Sequence, residues 1–357
     1  MLRINFLRGQ VRNLASASSS SGNATAAGPF YAIKDQVDQY IYARSLPRKW
    51  KPVVYREKNA DLLTSLDAVD NDGRPIVPRK YPGIPSKTKF ARFIDDLLLP
   101  EELNAVKETI SKMDKYAVDF FAPSVINSLL YKSAEFGTFG RDLTFVYNLQ
   151  NYRSENVFGP RNIEAIILLR AIQAEQYQIT DLNWVYRKLR HVFKHNQRAE
   201  KETLLIYASN LALLRQIELN RKSSSQSFSE KEQAILAKKI DKVVEALNKK
   251  IEDPVYKFNT EEELKDAAKN FDRWQHAYSI LKLLQRNLDE SQVEVGKKIL
   301  PFLEHVEKLQ EAAKIDESLL ARLEKIKFRA EAEEGEEKPN SAEEADQAEN
   351  PSSADKA

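Results

Sequence analysis

Two of the four histidines in this 357-residue sequence, His191 and His195, have the spacing of a metal-binding pair. Residues four apart lie on the same face of a helix, where both imidazoles could chelate one ion. A third ligand is missing, because the chain has no cysteine and the nearest acidic residue is Glu200. Arginines and lysines also surround both histidines and oppose the binding of another cation. We therefore expect no metal site, and the lack of cysteine excludes disulfides and a cysteine nucleophile.

The other residues that could carry catalysis lack the setting that catalysis needs. His276 and His305 lie in helical patterns, where packing or solvent exposure explains them. The acidic pairs 95–96 and 101–102 are expected at helix ends, where they complement the helix dipole. No glycine-rich phosphate loop, nucleophile elbow or zinc-protease motif occurs. We expect no catalytic residue, no cofactor and no small-molecule substrate, so the protein is predicted not to be an enzyme.

The strongest chemical feature is a cationic helix face at residues 180–198. At about 100° per residue, one face of this helix is apolar and consists of Leu182, Val185, Leu189, Val192 and Phe193. The opposite face carries Arg187, His191, Lys194 and Arg198, and Arg190 flanks them. Trp184 is predicted to lie near the cationic side as a surface aromatic that contacts a partner. A merely solvated face is the alternative, but such faces usually mix signs, and no acidic residue occurs between Asp181 and Glu200.

Two further segments, 44–58 and 74–92, combine six basic residues each with scattered aromatics. Four prolines in the second segment forbid a regular helix and favour an extended path. Extended basic peptides can follow a phosphate backbone and stack on unpaired bases. We therefore predict an extended basic arm at residues 28–92, with a flexible linker as the alternative. The candidate RNA-binding residues of the arm are Arg44, Arg48, Lys49, Trp50, Arg79, Lys80, Lys87 and Lys89.

The remainder of the chain is predicted to be all-α. Only ten glycines occur, and no convincing alternation of apolar and polar residues indicates a sheet. Helical patterns cover 91–99, 101–116, 124–135, 140–151, 161–176, 181–197, 199–221, 230–251, 261–270, 271–288, 291–313 and 317–330. We divide them into a hairpin, repeat-like region at 93–222 and a C-terminal helical region at 223–330.

A faint internal repeat supports an irregular α-solenoid-like body. Aligning Pro123 with Pro160 superposes Ile126 on Ile163, and the apolar positions that follow also correspond. A third unit is predicted to open at Thr203. Spacings of this size are typical of helical-hairpin repeats, in which each pair buries its apolar face on its neighbour.

The two termini differ sharply in charge. Residues 1–27 contain three arginines, no acidic residue and a serine-rich run, which is the composition of a mitochondrial transit peptide. We expect a mitochondrial matrix protein, and no membrane span, because no stretch of 18 apolar residues occurs. Residues 331–357 hold ten acidic residues and two lysines, and such a tail is predicted to be disordered. The formal charge of +2 therefore conceals a tail of −8 and a body of +10.

Three segments carry a family resemblance. They are the arginine-rich start, the stretch RPIVPRKYPGIPSKTKFARF and the run FGRDLTFVYNLQNYRSENVFGPRNIEAIILLRAI. In its overall sequence character the chain resembles the fungal mitochondrial small-subunit ribosomal proteins that have no bacterial counterpart. Within that group it is most similar to the helical type of budding yeasts. The resemblance implies a ribosome component that binds ribosomal RNA and adjacent ribosomal proteins without catalysis, and it carries over no site residues.

The function expected from these features is a structural role in the small subunit of the mitochondrial ribosome, in support of mitochondrial translation. One alternative is a helical-repeat protein that activates translation of, or matures, a mitochondrial messenger RNA. Such proteins need many regular repeats, and this repeat is short and irregular. Another alternative is an assembly factor for a respiratory complex, whose cations would face acidic protein surfaces.

Overall fold

The computed structural model describes residues 31–66, 69–70, 73, 75–152, 154, 157–199, 203–251, 271–289, 292–312 and 317–328. The predicted transit peptide, the predicted helix at 261–270 and the acidic tail lie outside these residues. Within them the chain forms fourteen α-helices and no strand, with a single isolated bridge between Val69 and Pro75. The predicted all-α class is confirmed.

The helices are numbered here in chain order. They are α1 (Ala32–Ser45), α2 (Lys51–Val54), α3 (Ala60–Ser65), α4 (Lys87–Asp95), α5 (Pro100–Tyr116), α6 (Pro123–Glu135), α7 (Phe139–Tyr147), α8 (Pro160–Gln176), α9 (Leu182–Ala199), α10 (Leu204–Ser223), α11 (Glu230–Ile251), α12 (Phe271–Asn287), α13 (Val293–Ala312) and α14 (Leu319–Glu324). Two 3-10 helices, Glu57–Asn59 and Val118–Phe120, lie between them. None of the described helices combines the length and the apolar content that a membrane span needs.

Alternate helices stack in a row that forms the centre of the fold. Helix α4 packs on α6, α6 on α8, α8 on α10 and α10 on α12. The intervening helices α5, α7, α9, α11 and α13 each contact a member of this row. This arrangement is the one that helical-hairpin solenoids adopt, because each pair covers the apolar face of the pair before it. It matches the solenoid-like body expected from the sequence.

Local sequence signals explain where several of these helices begin. Pro100, Pro123 and Pro160 occupy the first turn of α5, α6 and α8, where a missing N–H group costs nothing. Helix α4 begins at Lys87, four residues before its predicted start. The Ser86 side chain accepts a hydrogen bond from the Lys89 backbone N–H and caps the helix there.

The predicted repeat corresponds to the pairing of α6 with α8. Both helices begin with proline, and the aligned residues Ile126 and Ile163 are both buried. Buried Asn162 joins the two helix starts, because its Nδ2 donates to Pro123 O at 2.9 Å and to Asn127 Oδ1 at 2.8 Å. The predicted third unit begins as α10, whose first turn is capped by the Thr203 side chain.

The N-terminal region differs from the expected extended arm. Helix α1 docks Val37, Tyr40 and Ile41 into the main core. A second, smaller core is formed by Leu46, Val54, Leu63 and Ile76. Residues 75–86 form no helix, as their four prolines predicted, but they pack along this smaller core rather than away from the body. Val37, Tyr40 and Ile41 are three and four residues apart, so they share one face of α1 and give the region a surface to bury.

Candidate nucleic-acid interface

Four of the predicted RNA-binding cations lie together on the N-terminal region. Arg48 and Lys49 lie between α1 and α2, Arg79 and Lys80 lie in the proline-rich segment, and all four are exposed. The Arg79 backbone N–H donates to Val54 O at 2.9 Å, which fixes the proline-rich segment against α2. We call the exposed cations Arg48, Lys49, Arg79 and Lys80, with the aromatics beside them, the arm surface.

Aromatic rings lie among the cations of the arm surface. Lys49 Nζ is 5.7 Å from the Trp50 ring centroid, and the Tyr55 and Tyr81 rings meet edge to face at 5.1 Å. Tyr81 is 55% exposed, so its ring is open to a stacking partner. Burial, with the nearby Tyr42, raises the pKa of Tyr55 to about 12, and its phenol is therefore neutral at physiological pH. Cations interleaved with exposed rings are the arrangement that binds single-stranded nucleic acid.

Two of the predicted cations, Arg44 and Lys87, are turned towards the protein. Arg44 Nη2 lies 3.0 Å from Asp119 Oδ1. Lys87 Nζ donates to the backbone carbonyls of Asp119 at 2.8 Å and Phe121 at 3.0 Å. Lys87 thus joins the start of α4 to the 3-10 helix that follows α5, whereas the Arg44–Asp119 pair is about half exposed and contributes little to stability. Lys89, two residues after Lys87, is exposed on α4.

Helix α9 has the two faces that its sequence predicts. Leu182, Val185, Leu189 and Val192 are buried, and Arg187, Arg190 and His191 are exposed. Arg187 Nη2 lies 3.6 Å from Asp181 Oδ2, and both side chains are more than half exposed, so this ion pair contributes little to stability. We call Arg187, Arg190 and the positions that continue their register, 194 and 198, the α9 face. Lys194 and Arg198 belong to the helix, but their side chains lie outside the described residues, as does the side chain of Phe193.

The prediction that Trp184 is a surface aromatic is wrong. Trp184 is 3% exposed, and its ring centroid is 5.9 Å from the guanidinium carbon of Arg170 on α8. Arg170 is itself buried, and the Phe139 ring lies 4.8 Å from the same carbon. The two aromatic rings help to shield the guanidinium from water and stabilise it through cation–π attraction. Helical spacing alone could not reveal this, because the cation comes from another helix.

The sequence also missed a buried polar network that involves His276. Its Nδ1 lies 2.5 Å from the Tyr131 hydroxyl, and its Nε2 lies 3.1 Å from Glu164 Oε2. The Thr203 hydroxyl donates to Glu164 Oε1 at 2.5 Å, so four elements meet at this point. All three principal side chains are nearly inaccessible, and burial, with the charge of Glu164, raises the pKa of Tyr131 well above its usual value. The network links helices in the core, where no substrate can reach it.

The part of the chain that the structure describes contains no cluster of side chains that could bind a metal ion. No group of three or more metal-binding side chains occurs there. The His191 ring stacks on Tyr147 with centroids 5.0 Å apart, and the side chain of His195 lies outside the described residues. The exposed cations are the chemical feature that the arm surface and the α9 face have in common.

The comparison with known families concerns the N-terminal region. Residues 10–96 match the family model of the MRP13-like N-terminal domain. The matched range includes the whole arm surface and helices α1 to α4, and it ends before α5 and the later helices. No curated protein matches the chain. The match at residues 10–96 points to a mitochondrial ribosomal protein family.

Proposed function

We propose that the protein is a structural component of the small subunit of the mitochondrial ribosome, where it binds ribosomal RNA and neighbouring ribosomal proteins in the matrix. The observation that carries the proposal is the coincidence of the family match with the arm surface. The matched residues include Arg48, Lys49, Arg79 and Lys80, which are all exposed. A matrix location also accords with the transit peptide predicted at residues 1–27.

The proposed mechanism is neutralisation of phosphates by two basic surfaces. The arm surface supplies cations and rings for backbone and base contacts, and the α9 face supplies a row of arginines and lysines. Each phosphate contact releases counterions, so the affinity for RNA should fall steeply as salt increases. Lys87 acts mainly by holding the start of α4 against the 3-10 helix that follows α5, since the backbone oxygens of Asp119 and Phe121 accept its hydrogen bonds, and Arg44 is partly neutralised by Asp119.

A helical body with few repeats suits a structural role better than base-by-base readout. Sequence-specific helical-repeat proteins read one base with each repeat. Here the stacked row contains only a few hairpins, and the α6 and α8 units differ in length. The body instead offers helix faces to which neighbouring ribosomal proteins can bind.

Ultraviolet crosslinking of a tagged chain in intact mitochondria tests the proposal directly. The expected result is that crosslinked RNA is mainly small-subunit ribosomal RNA, with crosslinked peptides in the range 44–92. Recovery of one messenger RNA instead would contradict the proposal and favour a translational activator. RNA no more abundant than in an untagged control would also overturn it and favour a protein-binding assembly factor.

A further inference from the structure

The end of the described chain is anchored at the C-terminal end of α8, the helix that precedes α9. Phe328 is 7% exposed, its ring meets that of Phe139 edge to face at 6.2 Å, and its carbonyl accepts a hydrogen bond from the Tyr177 hydroxyl. Gln176 donates a further hydrogen bond to the carbonyl of Ile326. These contacts hold residues 326–328 against the C-terminal end of α8, directly before the connection to α9.

The path from this exit point to α9 is short. The Phe139 ring contacts the Phe328 ring and also the guanidinium of Arg170. The same guanidinium carbon lies 5.9 Å from the ring centroid of Trp184, in the first turn of α9. One arginine and one ring therefore separate Phe328 from the start of α9, whose exposed Arg187 follows one turn later.

The chain that continues from this point has the opposite charge. Residues 331–337, EAEEGEE, hold five acidic residues in seven and begin three positions after Phe328. The whole segment 331–357 carries ten acidic residues and two lysines. By contrast, no acidic residue occurs in α9 from Leu182 to Ala199.

The lengths also match. A helix of 18 residues is about 27 Å long, at about 1.5 Å per residue. An extended chain spans about 3.3 Å per residue, so the nine residues 329–337 reach about 30 Å. The nine residues are therefore long enough to carry the first acidic residues from Phe328 to Arg187 and Arg190, near the start of α9.

We infer that the acidic segment 331–357 docks on the α9 face and competes there with external polyanions. Because the segment is tethered beside its site, its effective concentration lies in the millimolar range that short flexible links produce. It covers Arg187 and Arg190 when no RNA is present and is displaced when a ligand engages the α9 face and the arm surface together. Non-specific RNA, which lacks that combination, is excluded.

The contact itself does not depend on the proposed function, whereas its competition with RNA does. Since the chain contains no cysteine, two fluorophores can be attached to the full chain through Asn183→Cys, on the exposed side of α9, and Ser341→Cys in the acidic segment. Energy transfer between them reports docking without RNA. We expect high transfer at low salt, and a fall at about 1 M salt, where the Debye length is about 3 Å.

Charge reversal identifies the docking face. Arg187→Glu with Arg190→Glu should lower energy transfer at low salt. The matched control, Lys231→Glu with Lys238→Glu on exposed positions of α11, should leave it unchanged. If energy transfer changes neither with salt nor with the α9 reversal, the inference is wrong. If the control variant lowers energy transfer equally, the attraction is non-specific and α9 is not the docking face.

A second readout separates this inference from the proposed function. Removal of residues 331–357 should tighten binding of a non-specific single-stranded RNA about three- to tenfold at low salt, with little effect at high salt. Equal affinity with and without the segment would contradict the competition. If neither the full chain nor the shortened chain binds RNA, while energy transfer behaves as expected, then the docking is supported and the proposed function is wrong.

Discussion

The guanidinium of Arg79 lies over the ring of Tyr42, with 4.4 Å between its central carbon and the ring centroid. Tyr42 belongs to α1, which is packed on the main core, and Arg79 belongs to the proline-rich segment. This contact therefore fixes the position of the segment relative to the helical body. The proline-rich segment, which the sequence predicts to be part of an extended arm, is therefore one side of a defined basic surface.

We expect reversal of the arm surface to weaken RNA binding without unfolding the protein. The variant carries Arg48→Glu, Lys49→Glu and Lys80→Glu, all at exposed positions. Removing about three phosphate contacts should lower affinity at low salt and reduce the slope of log affinity against log salt by about two to three. Filter binding at several salt concentrations measures both quantities.

The matched control for that variant is a triple reversal on α11, Lys231→Glu, Lys238→Glu and Lys242→Glu, which makes the same change in net charge at exposed positions. Equal weakening in both variants would show that only net charge matters and that the arm surface is not a binding site.

Lys87 and Lys89 should have different roles although the sequence assigns both to RNA binding. Lys87→Met removes the ammonium that donates to two backbone carbonyls, and we expect a loss of only about 1 kcal/mol, because water can reach both carbonyls at least in part. Lys89→Met removes only an exposed charge, so it should lower RNA affinity and leave stability nearly unchanged. Chemical denaturation and filter binding on both variants separate the two effects. Identical behaviour of the two variants would refute this division.

Asn162 should be essential to the joint between α6 and α8. It is fully buried, and its Oδ1 accepts from Gly159 N at 2.8 Å while its Nδ2 donates to Pro123 O and Asn127 Oδ1. Asn162→Ala leaves these groups unpaired, at about 1–3 kcal/mol for each buried group. Urea denaturation should show a loss of several kcal/mol, whereas Asn104→Ala, at an exposed position of α5, should change little. A small loss at Asn162 would mean that water or rearrangement replaces its hydrogen bonds.

The Tyr131–His276–Glu164 network should contribute to stability alone. Tyr131→Phe removes the hydroxyl that lies 2.5 Å from His276 Nδ1 and leaves a buried ring nitrogen without that partner. We expect a loss of about 1–3 kcal/mol in the free energy of unfolding. RNA affinity, measured where the variant is fully folded, should equal that of the original protein. A large loss of RNA affinity in the folded variant would indicate a functional role that the buried position does not suggest.

Glu135 should make stability depend on pH in the acidic range. Burial would raise its pKa, but hydrogen bonds from Arg322 and Lys132 outweigh that effect and hold the pKa below its usual value of 4.5. A lowered folded-state pKa stabilises the protein fully above the unfolded value, and this contribution is lost as the pH falls through the folded value.

The free energy of unfolding should therefore decrease below about pH 4.5, and less so in Glu135→Gln. Urea denaturation across this range measures the difference between the two proteins. Parallel pH profiles would show that the carboxylate of Glu135, which joins α6 to α14 through Arg322, is not responsible.

The sequence predicted the helices well because their signals are local. Prolines mark the starts of α5, α6 and α8, and the apolar spacing in α9 identifies Leu182, Val185 and Leu189 as buried. Predictions were less accurate where the partner of a residue is distant in the chain. Buried Trp184 lies near Arg170 of α8, and buried His276 contacts Tyr131 and Glu164 from other helices.

In the candidate site, too, local features could be predicted from the sequence and contacts with distant residues could not. Clusters of basic residues identified both cationic surfaces, since composition alone reveals charge. Composition could not reveal that Arg44 and Lys87 are partnered by Asp119 and Phe121, because these residues lie more than 30 positions away. Nor could it show that the small core around Leu46 and Ile76 would fold the predicted arm back on the body.

The measurement that tests the central claim most directly is sedimentation of a mitochondrial lysate through sucrose gradients, in low and moderate salt, with and without ribonuclease. The account predicts that the protein migrates with the small ribosomal subunit at near-stoichiometric amounts, and that this association survives moderate salt. Sedimentation away from both ribosomal subunits, unchanged by ribonuclease, would contradict it.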